Sequence, residues 1–482
     1  MNLKKEIIFG MIWALAERTL AQGISFIVSI ILARLLLPEQ YGIIAIVLVF
    51  INIADVFVNN GFGETLIQKK DVDDDDYSTI FCCSMLVSLM LVTILFYIAP
   101  YIASFFSIPL LAEILPWLSL KLPISAFNTV QHAYVSKHML FKKFFFATSG
   151  GTFISGFIGI LMAFYGFEIW ALVAQVLFLS IFDTIILLFI IPWHPRIMFS
   201  LERSRNLLGF AWKIISSNLL NVIYIELSNL VIGRNFKPAE LGSYNRGMQF
   251  PSLIVNNINA AIGKVLFPAM AEIQYDLMKL RLIARKSIIL SSYIIFPLLV
   301  MLAVIARPLV MIILTEKWII CVPYIQIACM FYIIQPLQTI NWQVIKSLGR
   351  ADLCLRLEVI KKIIGILILF STMHISVIAI AIGFAFSGLI SMIINMIPNK
   401  KLISYSIKEQ SKDLLPISLC CLVMALSMLL WNFILTDFYI LLLLQVVTGL
   451  IIYIGLSSVL KLEAYLWIMD LLKDNIKISV FK

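Results

Sequence analysis

The sequence predicts an all-α integral membrane protein of about 14 transmembrane helices, arranged as two parallel six-helix bundles with two further C-terminal helices. Three observations predict it. The 482 residues are 61% apolar and 13% charged, with a mean hydropathy of +1.00, whereas a soluble domain is roughly 45–50% apolar and about 25% charged. The apolar residues fall in unbroken runs long enough to cross a bilayer core, which takes about 20 residues. A set of motifs also recurs at a nearly constant offset, 199 to 206 residues. The composition excludes a soluble enzyme, a disordered scaffold and a fibrous protein. The continuous runs exclude a closed barrel, whose strands alternate over about ten residues.

Lys4 and Lys5 precede the first run, but Glu17 and Arg18 interrupt it and no small-residue cleavage site follows. It therefore reads as a retained helix over 8–36 rather than a signal peptide. Further runs predict helices over 41–66, 77–99, 113–136, 144–166, 169–192, 205–233, 240–268, 285–306, 319–346, 353–372, 375–397, 413–434 and 438–460. The stretch 307–318 is too short to span and is expected at the membrane interface. Seven cysteines sit mostly inside these runs without a C-x-x-C spacing, so they read as small apolar residues rather than a disulfide framework.

Lys and Arg in short loops set orientation. With the N-terminus inside, the inner connections carry 27 of the 37 basic residues, and the outer ones carry Arg34, Arg234, Lys237, Arg307 and Lys317. Both termini are thus expected in the cytoplasm. The net charge of +10 marks topology, and no nucleic-acid partner is expected. The other basic residues fall within the predicted spans.

The repeat pairs Gly10-x-x-Trp13 with Gly209-x-x-Trp212, and Arg34-x-x-x-Pro38-x-x-x-Gly42 with Arg234-x-x-x-Pro238-x-x-x-Gly242. Ile67-Gln68 before Asp71 echoes Ile273-Gln274 before Asp276. Six spans separate the copies, so both keep one orientation. The expected bundles are 1–200 and 201–402, with the two extra helices and a tail in 403–482. Parallel repeats of this kind frame a central substrate site in transporters.

An ionised group at a helix centre costs about 2.5–3.5 kcal/mol on insertion scales, so each needs a partner or a wet cavity. Arg18, Gln22, Ser25 and Ser29 lie within roughly 60° of one helix face, with Glu17 at its border. Asn52, Asp55 and Asn59 mark the second helix. Ser217, Asn221, Tyr224 and Ser228 repeat the first stripe, with Lys213 and Glu226 close by. Arg246, Asn257 and Lys264 share a face of the eighth helix. Single Ser and Asn residues also glue helices together. The cations outnumber the acids, however, and the polar helices are equivalent members of the two repeats. A net-positive cavity between the halves, suited to an anionic substrate, is expected.

Other features have simpler readings. Asp71 and Asp73 to Asp76 read as a solvated loop with helix-start chemistry. Gly151-Ser155-Gly159 reads as a close-packing face. Gly151 and Gly156 have the glycine spacing of a phosphate loop, but Phe157 follows instead of lysine, so no ATP site is expected. His132, His138, His194 and His374 match no metal-ligand pattern, and the first two read as interfacial. No metal or cofactor is expected.

Several stretches resemble the polysaccharide transporter family. They are Gln22 to Phe26, Ala33 to Gly42, Gly61-Phe62 with Leu66-Ile67-Gln68, Leu241-Gly242-Ser243-Tyr244, Gln249-Phe250-Pro251, Phe267-Pro268, Glu316-Lys317-Trp318 and Gly349-Arg350-Ala351-Asp352. The similarity covers about residues 8–400. A glycine commonly precedes the Glu-Lys-Trp element in that family, whereas Thr315 stands here. The resemblance implies a V-shaped fold and flipping of an undecaprenyl-diphosphate-linked oligosaccharide, an O-antigen or exopolysaccharide unit, across a bacterial inner membrane. It implies that cavity Arg and Lys residues meet the anionic substrate; on the polar stripes, the expected substrate contacts are Arg18, Gln22, Lys213, Asn221, Arg246, Asn257 and Lys264. A coupling proton or cation at Glu17, Asp55 or Glu226 is a further expectation, with glycan polymerase and chain-length proteins as partners. The rival readings are a multidrug exporter, which would favour an acidic or aromatic cavity, and a membrane glycan polymerase or ligase, which would need a sizeable outer loop.

Overall fold

A computed structural model describes residues 3–60, 62–69, 72–194, 196 and 198–470. Among the described residues every regular element is helical. Hydrocarbon offers backbone groups no partners, so a spanning segment must satisfy them internally. By contacts the chain forms two compact units, Met1–Gly242 and Ser243–Lys482.

The first unit opens with α1 (Leu3–Leu35) and α2 (Pro38–Asp55). Pro38 suits a first helical turn, where its missing N–H is no loss, and the Leu37 N–H donates to Gln40 Oε1 at 2.9 Å. The expected second span is interrupted: α2 passes into a π turn (Val56–Asn60) and then α3 (Phe62–Gln68). Next come α4 (Asp74–Phe106), α5 (Leu111–Ser119), α6 (Lys121–Lys137), α7 (Phe141–Phe164), α8 (Ile169–Ile190) and α9 (Leu201–Asn235). The predicted span 113–136 is thus two helices that meet at Leu120. A core of Tyr77, Phe81, Val130, Leu187, Trp193 and Ile215 ties α4, α6, α8 and α9 together.

The acidic run does begin a helix. Asp73 caps α4, accepting the Asp76 N–H at 2.9 Å. The Arg203 guanidinium donates to both Asp73 oxygens at 2.5 and 2.6 Å. That contact, aided by the Asp76 N–H, holds the Asp73 carboxyl down at about 2. The run is not wholly solvated, because Asp76 is fully buried between Lys69 and Arg203.

The repeat is also visible in packing. α10 (Pro238–Glu272) begins inside the first unit, and its opening turn meets that of α2. A Cβ on Gly42 would overlap the carbonyl oxygen of Pro238, and one on Gly242 would overlap the carbonyl oxygen of Pro38. The two copies of the motif therefore press glycine against proline reciprocally. Stretch 201–235, which the repeat assigns to the second bundle, packs in the first unit.

The second unit continues α10 through α11 (Leu277–Ile313), α12 (Val322–Tyr332), α13 (Gln335–Ser347), α14 (Ala351–Thr372), α15 (Val377–Leu402), α16 (Ile407–Leu430) and α17 (Phe438–Val459). The expected interfacial segment 307–318 is not a separate element. Arg307 to Ile313 extend α11, which contains Pro308, and Glu316–Cys321 form a 3-10 turn leading into α12. The chain turns between them at Thr315, whose φ is +82°. That region suits glycine and strains a β-branched residue by about 1–3 kcal/mol, and Thr315 Oγ1 is buried without a partner among the described residues. Thr315→Gly is expected to stabilise the protein by about 1 kcal/mol net of glycine's unfolded-state entropy, which a detergent melting curve would check.

The two C-terminal helices belong to the second unit's core. Met424, Met428 and Tyr453 pack with Tyr293, Phe296 and Ile340, and Tyr453 Oη donates to the Tyr293 carbonyl at 2.7 Å. Arg285 on α11 clamps both helix ends, bonding Asp413 on α16 at 2.9–3.0 Å and Glu463 beyond α17 at 3.0 Å. Asp413 also accepts from Tyr405 Oη at 2.7 Å. Arg285→Ala leaves a half-buried carboxylate short of its cation, and should cost about 1–3 kcal/mol. Arg285→Lys, which lacks the fork geometry, should recover only part.

Among the described residues, 11 helical segments are long and apolar enough to cross a membrane. The chain is a multi-pass membrane protein. The three expected spans outside that set are α5–α6, α10 and α14. They are the charged or amide-rich ones: α14 carries Arg356, Glu358, Lys361 and Lys362, and α10 carries Arg246, Asn256, Asn257 and Asn259.

Candidate functional site

The first unit encloses a polar cavity of about 620 Å³. α1 contributes Gln22 and Ser25, and α6 contributes Lys121, Ser125, Asn128, Thr129 and His132. Thr148 and Thr152 come from α7, and Ser180 and Asp183 from α8. Asp55 ends α2 and Asn59 lies in the π turn that follows. Such one-turn π bulges inside helices occur frequently at functional sites. Here Asn59 meets Thr129, whose hydroxyl also reaches the Ser125 carbonyl at 2.8 Å.

Two acid–base contacts sit in the lining. His132 Nε2 lies 3.0 Å from Asp183 Oδ2, and Lys121 Nζ lies 3.6 Å from Asp55 Oδ2. Asp183 is 8% exposed. Glu17 on α1 interacts electrostatically with both Asp183 and His132. Asn128 Oδ1 accepts from Thr184 Oγ1 at 2.7 Å, which joins α6 to α8 behind the cavity. The lining holds two carboxylates, one ammonium and one imidazole. Ionisable groups on membrane helices need a partner or a polar cavity, and Asp55 and Asp183 here have both. The hydroxyl and amide groups can hydrogen-bond a hydroxyl-rich solute, and the His132–Asp183 pair can hold or release a proton.

The close-packing face on α7 positions this site. A Cβ on Gly151 would lie 3.1 Å from the Asp183 backbone nitrogen, and one on Gly159 would lie 3.3 Å from the Ala171 carbonyl oxygen. Gly156 lies against Val28 of α1. The small residues let α1, α7 and α8 approach until their polar faces share one space.

The structure brings Gln22 and Asp55 into this cavity and sets Glu17 beside its acid–histidine pair. Arg18 neighbours Glu17 electrostatically and does not line the cavity. Glu226 on α9 is buried away from it, accepting from Asn52 at 2.9 Å and Asn229 at 2.8 Å. Asn221 is exposed on α9. In the second unit, Arg246 is 5% exposed, donates to Gln249 Oε1 at 2.7 Å and lies over the Trp318 ring. Asn257 donates to the Leu253 carbonyl. The side chains of Lys213 and Lys264 lie outside the described residues. His132 is not merely interfacial: it lines the cavity. Sequence reading missed Lys121, Asn128 and Asp183, although an acid inside the apolar run 169–192 was itself a signal, as was the Asn128-x-x-x-His132 spacing on one helix face. Among the described residues no cluster of His, Cys, Asp or Glu is placed to hold a metal ion.

Comparison with known proteins adds the following. The profile of a family described as "Polysaccharide biosynthesis protein" matches residues 31–323. The lipopolysaccharide biosynthesis protein WzxC of Escherichia coli is 23% identical over 402 residues, covering 82% of this chain and 81% of that protein. The succinoglycan biosynthesis transport protein ExoT of Rhizobium meliloti is 25% identical over 307 residues; the match covers 64% of this chain and 62% of ExoT, under two thirds of its length. Among solved structures, the lipid II flippase MurJ in an inward closed conformation superposes with a TM-score of 0.76 at 14% identity, covering 94% of this chain and 98% of its own. An inward-facing multidrug resistance MATE transporter gives 0.59 at 16% identity, covering 81% and 98%.

Proposed function

The chain belongs to the polysaccharide biosynthesis protein family, and from that premise we propose that it is a flippase for a lipid-linked oligosaccharide. In this reading it carries an O-antigen or exopolysaccharide unit on undecaprenyl diphosphate from the cytoplasmic to the outer leaflet of a bacterial inner membrane, by alternating access. The observation that carries the proposal is the family match over 31–323, which takes in the polar cavity of the first unit except its α1 wall, Ala21, Gln22 and Ser25. The names of the relatives, a lipopolysaccharide biosynthesis protein and a succinoglycan transport protein, point to the same substrate class. The cavity's hydroxyls and amides supply partners for sugar hydroxyls.

Arg18, Gln22, Lys213, Asn221, Arg246, Asn257 and Lys264 are proposed to contact the substrate. Glu17 and Asp55, with the His132–Asp183 pair, are proposed to exchange the coupling proton, and Glu226 remains a candidate for that role. Two phosphate charges leaving an inside-negative cell would gain about 4–5 kcal/mol per 100 mV, so the resetting of the empty carrier is the step that needs coupling. Glycan polymerase and chain-length proteins are proposed partners.

A cavity with two carboxylates in its lining is also what an exporter of cationic drugs would present, so the test has two arms. Purified protein in liposomes should raise the rate at which a fluorescent lipid-linked oligosaccharide becomes accessible to an outside quencher. Asp183→Asn should cut that rate at least tenfold, a loss of about 1.4 kcal/mol. No translocation of the glycan lipid, together with efflux of a lipophilic cation, would replace the flippase reading with the exporter.

A further inference from the structure

The second unit holds a larger cavity of a different character. It measures about 1160 Å³ and lies among α11, α12, α15, α16 and α17. Ala425 lines it, and its floor includes Leu299, Cys329 and Leu441, which are 0–5% exposed, while Met330 at 69% and Leu389 at 41% mark the side on which it opens. Arg307 is the one formal charge in the lining. It is exposed and makes no hydrogen bond or ion pair among the described residues. Asn432, in the connection from α16 to α17, lies at the rim.

We propose that this cavity is a binding site for an anionic glycerophospholipid, with acyl chains in the recess and the headgroup phosphate on Arg307. The apolar walls disfavour water as the occupant of this space and favour an apolar chain. The helices that wall it cross the bilayer, where the surrounding solvent is hydrocarbon chain. Leu299 lies eight residues before Arg307 on α11, about 12 Å deeper along the axis. The α16–α17 connection and the start of α12 are at the Arg307 end. The cavity is therefore amphipathic along its length, as a lipid is, with one guanidinium at the end where a headgroup phosphate would lie. A glycan-bearing lipid is disfavoured because the rim carries one cation and a few amides and hydroxyls instead of an array for sugar hydroxyls. Much of the wall, from α15 to α17, also lies beyond the stretch matched to the family.

The site is independent of the transport reading, and its test does not use transport. The full-length protein would be reconstituted in nanodiscs of phosphatidylcholine with an equal share of phosphatidylglycerol, then stripped with detergent and analysed for retained lipid by native mass spectrometry. Wild type should retain phosphatidylglycerol over phosphatidylcholine by at least fivefold. Arg307→Gln should remove that preference and Arg307→Lys should keep most of it. Ala425→Phe, which fills the recess, should lower retention of both lipids. Equal retention of the two lipids by wild type, or an undiminished preference in Arg307→Gln, would overturn the proposal. So would displacement of the phosphatidylglycerol by an equimolar polyprenyl diphosphate, which would assign the cavity to the isoprenoid lipid.

Discussion

Gly42→Ala is expected to destabilise the protein by about 1–3 kcal/mol, the usual cost of forcing a methyl group into a packed contact, even though alanine is the better helix former by about 1 kcal/mol. The new Cβ would fall on the carbonyl oxygen of Pro238. A backbone oxygen at a helix start cannot rotate aside as a side chain can, so α2 and the first turn of α10 must separate. Gly242→Ala meets the carbonyl of Pro38 in the same way, and the two changes should couple strongly because they press on one contact. Gly23→Ala is the control: that glycine lies in α1, is exposed, and has nothing within 4 Å of the added carbon. It should melt slightly higher than wild type. Melting curves of the three variants in one detergent decide the matter. If Gly42→Ala rose with Gly23→Ala, the glycine-on-proline contact would not exist in the folded protein.

That contact also shows what the sequence could and could not reveal. The recurrence of Arg-x-x-x-Pro-x-x-x-Gly was legible as a repeat, and the family motifs run through it. That the two copies touch was not legible, because a linear offset carries no information about which helix ends meet. The helices themselves were readable, since hydrophobic length is a strong signal in a membrane protein. The breaks at Val56–Asn60 and Leu120 were not, because a π turn and a bend between two helices leave the apolar count unchanged. The site was half visible. Gln22 and Asp55 were found by helical periodicity within single segments. Asp183 and His132 were missed because their meaning lies in a pairing across 51 positions, which no periodicity shows. His132 read as interfacial because Lys137 follows one turn later, yet its ring points into the cavity that Gly151 allows α8 to close.

The largest effect inside the site is expected from Lys121→Met. This removes the cation beside Asp55 while keeping length and most of the volume. Asp55 and Lys121 are each about one-fifth exposed, and the second Asp55 oxygen is buried without a hydrogen-bond partner among the described residues, so the carboxylate would be left short of any counter-charge in a membrane-embedded wall. Breaking a buried pair costs about 3–5 kcal/mol; partial exposure and the 3.6 Å separation reduce the expected loss to about 1–3 kcal/mol. Asp55→Asn combined with Lys121→Met should recover most of the melting temperature, because no uncompensated charge remains. Transport then separates two roles for the pair. If the ions serve only to hold α2 against α6, the double variant should regain glycan-lipid translocation along with stability. If Asp55 takes part in the transport cycle, the double variant should be stable and still slowed about tenfold or more, and a pH gradient across the vesicle should no longer change its rate. A double variant that recovered stability, rate and gradient response together would remove Asp55 from the coupling machinery and leave the His132–Asp183 pair, with Glu17 beside it, as the group in this cavity still able to exchange a proton.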